Sequence, residues 1–231
     1  MDKPLISICI PTNNRAPFIR EALESITCQF TDAAVSARVS VTVLDNRSED
    51  GTEAVVGEFT ARYPNIRYIK DDAKRKLVPG IIKVASMADG EYVWVFSDDD
   101  LQSPQAIKTI IAFLDRQRPD IIITNLGSFI EKGIVRKPNL LELSGESFML
   151  NDRAELFKLL LAKFPTAVDQ YTTFCSNWLM KKSVFDANFG IFERFNDPLD
   201  LFPLPSLVFY SGKDFSTGII TDDLVLARSD N

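Results

Sequence analysis

The first half of the chain alternates short apolar runs with longer stretches in which apolar residues recur at helical spacing. The runs Leu5–Ile10, Val39–Leu44 and Tyr92–Phe96 are rich in β-branched and aromatic residues, and polar residues follow each of them. Strands that alternate with helices pair in parallel, because each helical crossover returns the chain to the same end of the sheet. This order predicts an α/β fold, with an open, mostly parallel, twisted sheet and helices on both faces.

The same patterns predict the bounds of further elements in this half. Two more strands are predicted at Ile66–Ile69 and Asp120–Thr124, and a helix is predicted at Ile81–Ala88. Ser103 and Pro104 are typical of an N-cap and of the first helical residue, so another helix is predicted to begin there.

After about residue 126 the pattern changes. A hairpin is predicted at Phe129–Val135, a helix at Asp152–Phe164, and an apolar stretch broken by three prolines at Asn196–Tyr210. No long linker separates the two parts. We therefore expect one domain over residues 1–231, in which residues 127–231 form a smaller α+β half built onto residues 1–126.

The sequence contains no histidine, which excludes imidazole acid–base catalysis, a serine–histidine triad and histidine-bound metals. Its 26 basic and 32 acidic residues give a net charge of −6, which argues against a nucleic-acid-binding face. The three cysteines, Cys9, Cys28 and Cys175, form neither a disulfide framework nor a zinc motif. Acid–base chemistry and metal binding therefore fall mainly to carboxylates.

Neither a signal peptide nor a membrane span is predicted. Met1–Pro4 does not lead from a basic region into an apolar one, and no apolar run approaches the roughly 18–20 residues that cross a bilayer. Together with reduced cysteines, these features predict a cytoplasmic protein.

Three predicted strands end in polar segments, namely Pro11–Arg15, Asp45–Ser48 and Ser97–Asp100. In open α/β sheets, ligands bind beyond the carboxyl ends of the strands. Three consecutive acids after a buried strand repel one another, and a divalent cation with oxygen ligands, Mg²⁺ or Mn²⁺, would offset that repulsion. The alternative is a solvated acidic loop that caps the helix at Ser103.

The three strand ends together resemble a known family. The segments LISICIPTNN, VTVLDNRSEDGT and DGEYVWVFSDDDLQSP are similar, in order and spacing, to the signatures of family 2 glycosyltransferases with the GT-A fold. The resemblance covers residues 4–126 well and is looser beyond, where Leu224–Arg228 is similar to the closing strand of the family. It implies a nucleotide-sugar-binding half at residues 1–126 and an acceptor-side half at residues 127–231. The chain stops just after that strand, which leaves open the interpretation that acceptor-side elements of a longer protein are missing.

The resemblance implies roles for individual residues on the donor side. Pro11 and Thr12 match the loop that lines the nucleoside, and Asp45 matches the acid that accepts the N3–H of a uracil or thymine base. Asp45 has the alternative role of capping the following helix. The position after Thr12 is usually aromatic in the family but is Asn13 here, which leaves the identity of the base open. The predicted nucleotide-sugar-binding residues are Pro11, Thr12, Asn13, Arg15, Asp45, Lys76, Ser97 and Asp98.

The resemblance also implies a metal site. Asp99 matches the metal-binding last acid of the DXD motif of the family, and Asp98 would face the ribose hydroxyls. Ser97 replaces the usual first acid, so Asp100 is assigned either as a second metal-side ligand or as a helix cap. Lys76 lies where relatives carry a basic donor-side residue, with a solvated basic loop as the alternative.

The implied reaction is an inverting transfer in which a carboxylate removes the proton of an acceptor hydroxyl. In relatives this base comes from an acidic motif in the second half. The corresponding stretch of this chain offers Asp197 and Asp200, and Glu193 is a third candidate.

The function predicted from the resemblance is a metal-dependent glycosyltransferase that uses a nucleotide-sugar donor and a saccharide or lipid-linked saccharide acceptor. The implied setting is surface polysaccharide biosynthesis, in the cytoplasm or at the inner face of the membrane. One alternative is a sugar-phosphate nucleotidyltransferase, which would need a glycine-rich triphosphate loop where Pro11–Arg15 has no glycine. The other is a non-catalytic nucleotide-sugar-binding module.

Overall fold

The computed structural model describes residues 3–73, 75–130, 135–163, 174–194 and 211–229. Their strands form one mixed sheet in the order β3-β2-β1-β4-β9-β6-β10-β5, with β7 paired to β6 and β8 paired to β10. The strands are β1 (Ile6–Thr12), β2 (Val39–Asp45), β3 (Ile66–Lys70), β4 (Tyr92–Val95), β5 (Leu101–Gln102), β6 (Ile121–Phe129), β7 (Val135–Lys137), β8 (Phe148–Leu150), β9 (Trp178–Lys181) and β10 (Thr217–Arg228).

Helices pack against the sheet. They are α1 (Ala16–Thr27), α2 (Ala33–Ser36), α3 (Thr52–Arg62), α4 (Leu77–Ser86), α5 (Ala106–Arg116), α6 (Arg153–Lys163), α7 (Lys182–Ala187) and α8 (Phe189–Arg194). A 3₁₀ turn at Cys28–Thr31 follows α1. Among the described residues, no helix is both long enough and apolar enough to cross a bilayer.

The first half confirms the prediction of a parallel sheet. β1 pairs in parallel with β2 on one side and with β4 on the other, and β2 pairs in parallel with β3. All four residues of β4 are buried, as expected for a central strand covered on both faces. Since these strands run in one direction, the carboxyl ends of β1, β2 and β4 lie at the same edge.

Four of the described strands, β5, β7, β8 and β9, depart from the mostly parallel prediction, because they pair antiparallel with their neighbours. β9 is inserted between β4 and β6 and pairs antiparallel with both. Its four residues, Trp178–Lys181, are too few and too ordinary in composition to predict a central strand from the sequence. The antiparallel pairing joins the two halves through one continuous sheet.

The predicted start of α5 at Ser103 was wrong by a few residues. Ser103 donates its backbone N–H to the carbonyl of Leu224 at 3.0 Å, which holds it beside β10 instead of in a helix. The helix begins at Ala106. One of the N-terminal amides that the helix leaves without a partner is satisfied from a distance, because Gln29 Oε1 accepts the N–H of Ile107 at 2.9 Å. A cap supplied by a residue 78 positions away leaves no local sequence signal.

Candidate functional site

A cavity of about 480 Å³ opens at the carboxyl ends of β1, β2 and β4. Its size lies within the range of small-molecule sites in proteins. All but one of the residues predicted for the nucleotide sugar and the metal line it: Pro11, Thr12, Asn13, Arg15, Lys76, Ser97, Asp98, Asp99 and Asp100. The fold thus brings residues distant in sequence to one wall.

Asp98 is held by the first strand. Its Oδ2 accepts the hydroxyl of Thr12 at 2.6 Å, and the residue is almost fully buried. Burial, the largest cause, and the charge of Asp99 raise the pKa of Asp98 to about 6, although the hydrogen bond from the Thr12 hydroxyl acts in the opposite direction. A divalent cation nearby would favour the ionised form of this carboxyl.

Asp99 is the most exposed carboxylate of the acidic loop and faces the cavity. Its Oδ1 accepts the Ser97 hydroxyl at 2.6 Å, and its Oδ2 lies 3.4 Å from Arg15 Nη1. Ser97, which replaces the usual first acid, therefore orients Asp99 through a hydrogen bond. The predicted metal ligand is positioned by one neutral donor and one cation.

Asp100 points into the protein. Its Oδ2 accepts the Ser176 hydroxyl at 2.6 Å, and its Oδ1 accepts the backbone N–H of Arg228 at 3.2 Å. Burial, the largest cause, and the charge of Asp99 raise the pKa of Asp100 to about 7. These contacts favour a structural role for Asp100, which anchors the acidic loop to β10 and to the residues before β9. Its predicted role as a metal ligand stays a prediction.

Arg228, which the local sequence pattern did not single out as a site residue, holds the acidic loop from the other side. Its Nε donates to the backbone carbonyl of Asp99 at 3.1 Å, and its guanidinium also forms an ion pair with Glu21. The group lies over the rings of Phe129 and Phe18, with its Cζ 4.5 and 5.0 Å from their centroids. The only sequence signal was its place in the closing strand, since its partners lie about 100 to 200 positions away.

Asp45 is not on the cavity wall. Its carboxylate is fully buried, and it accepts the backbone N–H of Ser48 at 2.8 Å and the hydroxyl of Tyr68 at 2.5 Å. Both oxygens are thus engaged within the fold, which weighs against the predicted contact with a base. The geometry favours the alternative in which Asp45 shapes the turn after β2.

Asn46, which was not among the predicted site residues, lines the cavity instead of Asp45. Its side chain makes a reciprocal pair of hydrogen bonds with the backbone of Arg75, at 2.5 Å to the carbonyl and 2.6 Å from the N–H. Asn13 donates to the backbone carbonyl of Asn46 at 2.7 Å. Two amides therefore tie the ends of β1 and β2 to the segment that leads into α4. Asn13 and Asn46 both lie in the polar segments that follow β1 and β2. The hydrogen bonds between Asn46 and the backbone of Arg75 could not be predicted from the sequence.

Lys76 lies on the cavity wall at the N-cap position of α4, with its side chain exposed. Arg75 next to it forms an ion pair with Asp71 at 2.5 Å. The basic segment therefore borders the site, and a donor contact by Lys76 stays a prediction.

The residues present fit a Mg²⁺ or Mn²⁺ ion held in the manner typical of nucleotide sites. Within the described ranges, no group of three or more carboxylates, thiols or imidazoles forms a ready-made metal cage. Such ions usually keep several waters and bind through one or two carboxylates and the phosphates of the substrate. Asp99, with a partly exposed carboxylate in the cavity, supplies the ligand that this mode requires.

The predicted general bases cannot be placed in the same way. Asp197 and Asp200 lie outside the described residues, as does the side chain of Glu193. Trp178 in β9 is almost fully buried, as a core residue is.

Comparisons with known proteins agree with this geometry. The profile of Glycosyl transferase family 2 matches residues 7–189. Abequosyltransferase RfbV of Salmonella typhimurium is 25% identical over 186 residues, which are 79% of this chain and 54% of RfbV. The chain thus spans about half the length of this relative.

Solved structures share the fold. TarS of S. aureus, in complex with UDP-GlcNAc, superposes with a TM-score of 0.72 at 17% identity, over 98% of this chain and 59% of that one. Mannosyltransferase PcManGT of Pyrobaculum calidifontis, in complex with GDP-Man and Mn²⁺, gives a TM-score of 0.61 at 15% identity, over 99% of this chain and 57% of that one.

The predicted GT-A architecture is confirmed by these structures, and the predicted family is confirmed by the profile. The matched region contains all three strand ends that meet at the cavity. The chain belongs to glycosyl transferase family 2.

Proposed function

We propose that this chain transfers a sugar, with inversion and with the help of a divalent metal, from a nucleotide-sugar donor to a saccharide or lipid-linked saccharide. The observation that carries the proposal is the cavity at the strand ends, which combines an apolar wall with the Asp99 carboxylate and the basic Arg15. A nucleoside needs the apolar wall, and a metal-bound diphosphate needs the Asp99 carboxylate and the basic Arg15.

Two comparisons support the choice of ligand. TarS was solved with UDP-GlcNAc, and PcManGT was solved with GDP-Man and Mn²⁺. The fold is shared with both, and the cavity of this chain lies where ligands bind in open α/β sheets. A nucleotide sugar and a divalent cation are therefore the ligands that we assign to it.

The roles of the residues follow from their contacts. Asp99 binds the cation, and Ser97 fixes the orientation of the carboxylate through its hydroxyl. Arg15 and Lys76 lie on the same cavity and offset the negative charge of the donor diphosphate. When bound, a divalent metal stabilises the charge that develops on a departing diphosphate. Arg228 and Asp100 keep the acidic loop in place.

The acceptor side rests on the resemblance to the family. Asp197 is our first candidate for the base that removes the acceptor proton, with Asp200 and Glu193 as alternatives, because a chain without histidine relies on carboxylates for this step. We place the reaction in surface polysaccharide assembly, in the cytoplasm or on the inner face of the membrane. Cys9 and Cys175 are buried free thiols, as is usual in a reducing compartment.

A titration and a hydrolysis assay test the proposal together. Uridine, thymidine, cytidine and guanosine diphosphates are titrated into the protein with Mn²⁺ and with EDTA, and the corresponding nucleotide sugars are then assayed for hydrolysis. The proposal expects Mn²⁺-dependent binding of at least one nucleotide and slow release of its sugar. Binding without hydrolysis or transfer would instead identify a binding module. Nucleotidyl transfer from a triphosphate would identify the other alternative.

A further inference from the structure

Gly80 occupies an unusual place in α4. The residue is buried, yet a Cβ built on it would meet no atom within 4 Å beyond its own chain neighbours and the helix backbone. Gly80 also lines the cavity at the strand ends. A buried position that faces empty space on a cavity wall leaves room for something that is not part of the fold.

The backbone does not require glycine at this position. The N–H of Gly80 donates to the carbonyl of Lys76 at 3.1 Å, the ordinary spacing of an α-helix, and its φ angle is not in the left-handed region. Glycine is less favourable than alanine inside a helix, because it loses more conformational freedom on folding. Neither packing nor conformation therefore explains Gly80.

The cavity lining around Gly80 is apolar. Leu77 and Ile81 from the same helix line the cavity, as do Pro11 and Leu44, which are register partners at the ends of β1 and β2. Leu77 is 61% exposed although it is a large apolar residue at the first turn of a helix. Such a surface matches the face of a planar ring, which is poorly hydrated and packs closely against bare backbone.

The polar groups of the cavity complete the match. Asn46 and Arg75 also line the cavity, and they offer polar groups that suit the edge of a ring with donors and acceptors. The acidic loop at Asp98 and Asp99 supplies the part suited to a metal-bound diphosphate. A ligand with a flat heterocycle at one end and a diphosphate at the other fits both parts.

We propose that Gly80 keeps a slot open for the planar base of the donor nucleotide, so that the residue at this position sets whether and how tightly a base binds. The inference rests on the proposed function and deepens it. It predicts two opposite effects of a methyl group at position 80. The methyl group should raise the stability of the protein and lower its affinity for the nucleotide.

The test is Gly80→Ala, compared with Gly57→Ala as a matched control. Gly57 also lies inside a helix with open space where its Cβ would be, but it is exposed on α3 and does not line the cavity. Both variants should raise the midpoint of thermal unfolding, by about 1–4 °C. Only Gly80→Ala should weaken the binding of the preferred nucleoside diphosphate in Mn²⁺, by about tenfold or more. The new methyl group would occupy the space in which the ring packs against the helix backbone.

Inorganic pyrophosphate separates the base from the diphosphate. Its affinity in Mn²⁺ should be the same for the wild-type protein and for Gly80→Ala, since it has no ring. A second variant, Leu77→Ala, removes an exposed apolar group and should weaken the nucleotide severalfold without changing pyrophosphate affinity or stability.

The outcomes separate this inference from the function on which it rests. A wild-type protein that binds no nucleotide in Mn²⁺ would overturn both. If the wild-type protein binds a nucleotide and Gly80→Ala binds it equally well, the inference alone is wrong. An equal loss of nucleotide and pyrophosphate affinity in Gly80→Ala would also overturn it, because position 80 would then face the diphosphate.

Discussion

Arg15 Nη1 lies 3.4 Å from Asp99 Oδ2 on the wall of the cavity, so the carboxylate assigned to the metal already has a cation beside it. The Arg15 side chain is 38% exposed and also lies over the ring of Phe18, with its Cζ 5.2 Å from the centroid. An exposed pair of this kind is weak enough to be rearranged by a ligand.

This pair predicts opposite effects on two ligands when Arg15 is replaced. Arg15→Gln should raise the affinity for Mn²⁺ alone by about two- to fivefold, because the carboxylate no longer shares its charge with a guanidinium. It should lower the affinity for a nucleoside diphosphate in saturating Mn²⁺, because a cation facing the diphosphate is lost. Both affinities are measured by titration calorimetry. Parallel changes in the two would contradict the assigned geometry.

The contacts of Asp45 predict a structural effect. Asp45→Ala should lower the free energy of unfolding by about 1–3 kcal/mol, because it leaves the half-buried Tyr68 hydroxyl and the Ser48 N–H without their acceptor. Urea unfolding measures this change. Tyr68→Phe is the control, since it removes one of the two donors and should cost less.

Asp45→Ala also tests whether Asp45 accepts the N3–H of a base, the role predicted from the sequence. If Asp45 accepts the N3–H of a base, replacing it should abolish a preference for uridine over cytidine diphosphate. The buried contacts instead predict that the order of nucleotide affinities stays the same in the folded variant. A changed order would restore Asp45 to the nucleotide site.

The pKa of Asp120 allows a prediction of how the free energy of unfolding depends on pH. Burial alone would raise its pKa, but hydrogen bonds from the backbone and the hydroxyl of Ser216, with the ion pair to Lys181, hold the pKa below its usual range. A depressed acid pKa contributes stability above the unfolded value of about 3.9, and this contribution is lost as the pH falls through the folded value. Asp120, directly before β6, links this strand to the neighbouring strands β9 and β10.

Asp120→Asn should therefore be less stable than the wild-type protein at pH 7, and the difference should shrink as the pH falls below about 4. Urea unfolding at pH 7 and pH 3 measures both differences. Asp222→Asn, at an exposed position of β10, is the control and should change stability little at either pH. A constant difference for Asp120→Asn across this range would contradict the assignment.

The sequence predicted the parts of the fold that are encoded locally. Apolar strands such as Val39–Asp45 and the polar segments after them have strong periodic signals, and their positions were right to within a residue or two. β9 was missed because its four residues gain their place only by pairing with β4 and β6. The start of α5 was displaced because the side chain of Gln29 caps the helix from a distant turn.

In the candidate site, too, some features were predicted from local sequence and others depend on distant contacts. The acidic loop was found from three adjacent aspartates, but the sequence could not show that Asp99 faces the cavity while Asp100 is held by Ser176 and Arg228. Successive residues point in different directions, and small differences in backbone direction decide which one reaches a ligand. For the same reason Asp45 and Asn46, which are adjacent, lie respectively inside the fold and on the cavity wall.

The proposed function depends on a divalent cation that Asp99 holds and through which a nucleoside diphosphate binds. The most direct measurement is calorimetric titration of the preferred nucleoside diphosphate, with Mn²⁺ and with EDTA, into the wild-type protein and Asp99→Asn. Asp115→Asn, at an exposed carboxylate on α5 that pairs with Arg38, is the control. We predict that Asp99→Asn weakens binding in Mn²⁺ by about tenfold or more, since losing a charged ligand costs about 1.5–3 kcal/mol, and that Asp115→Asn does not. Equal affinity of the wild-type protein and Asp99→Asn in Mn²⁺ would contradict it.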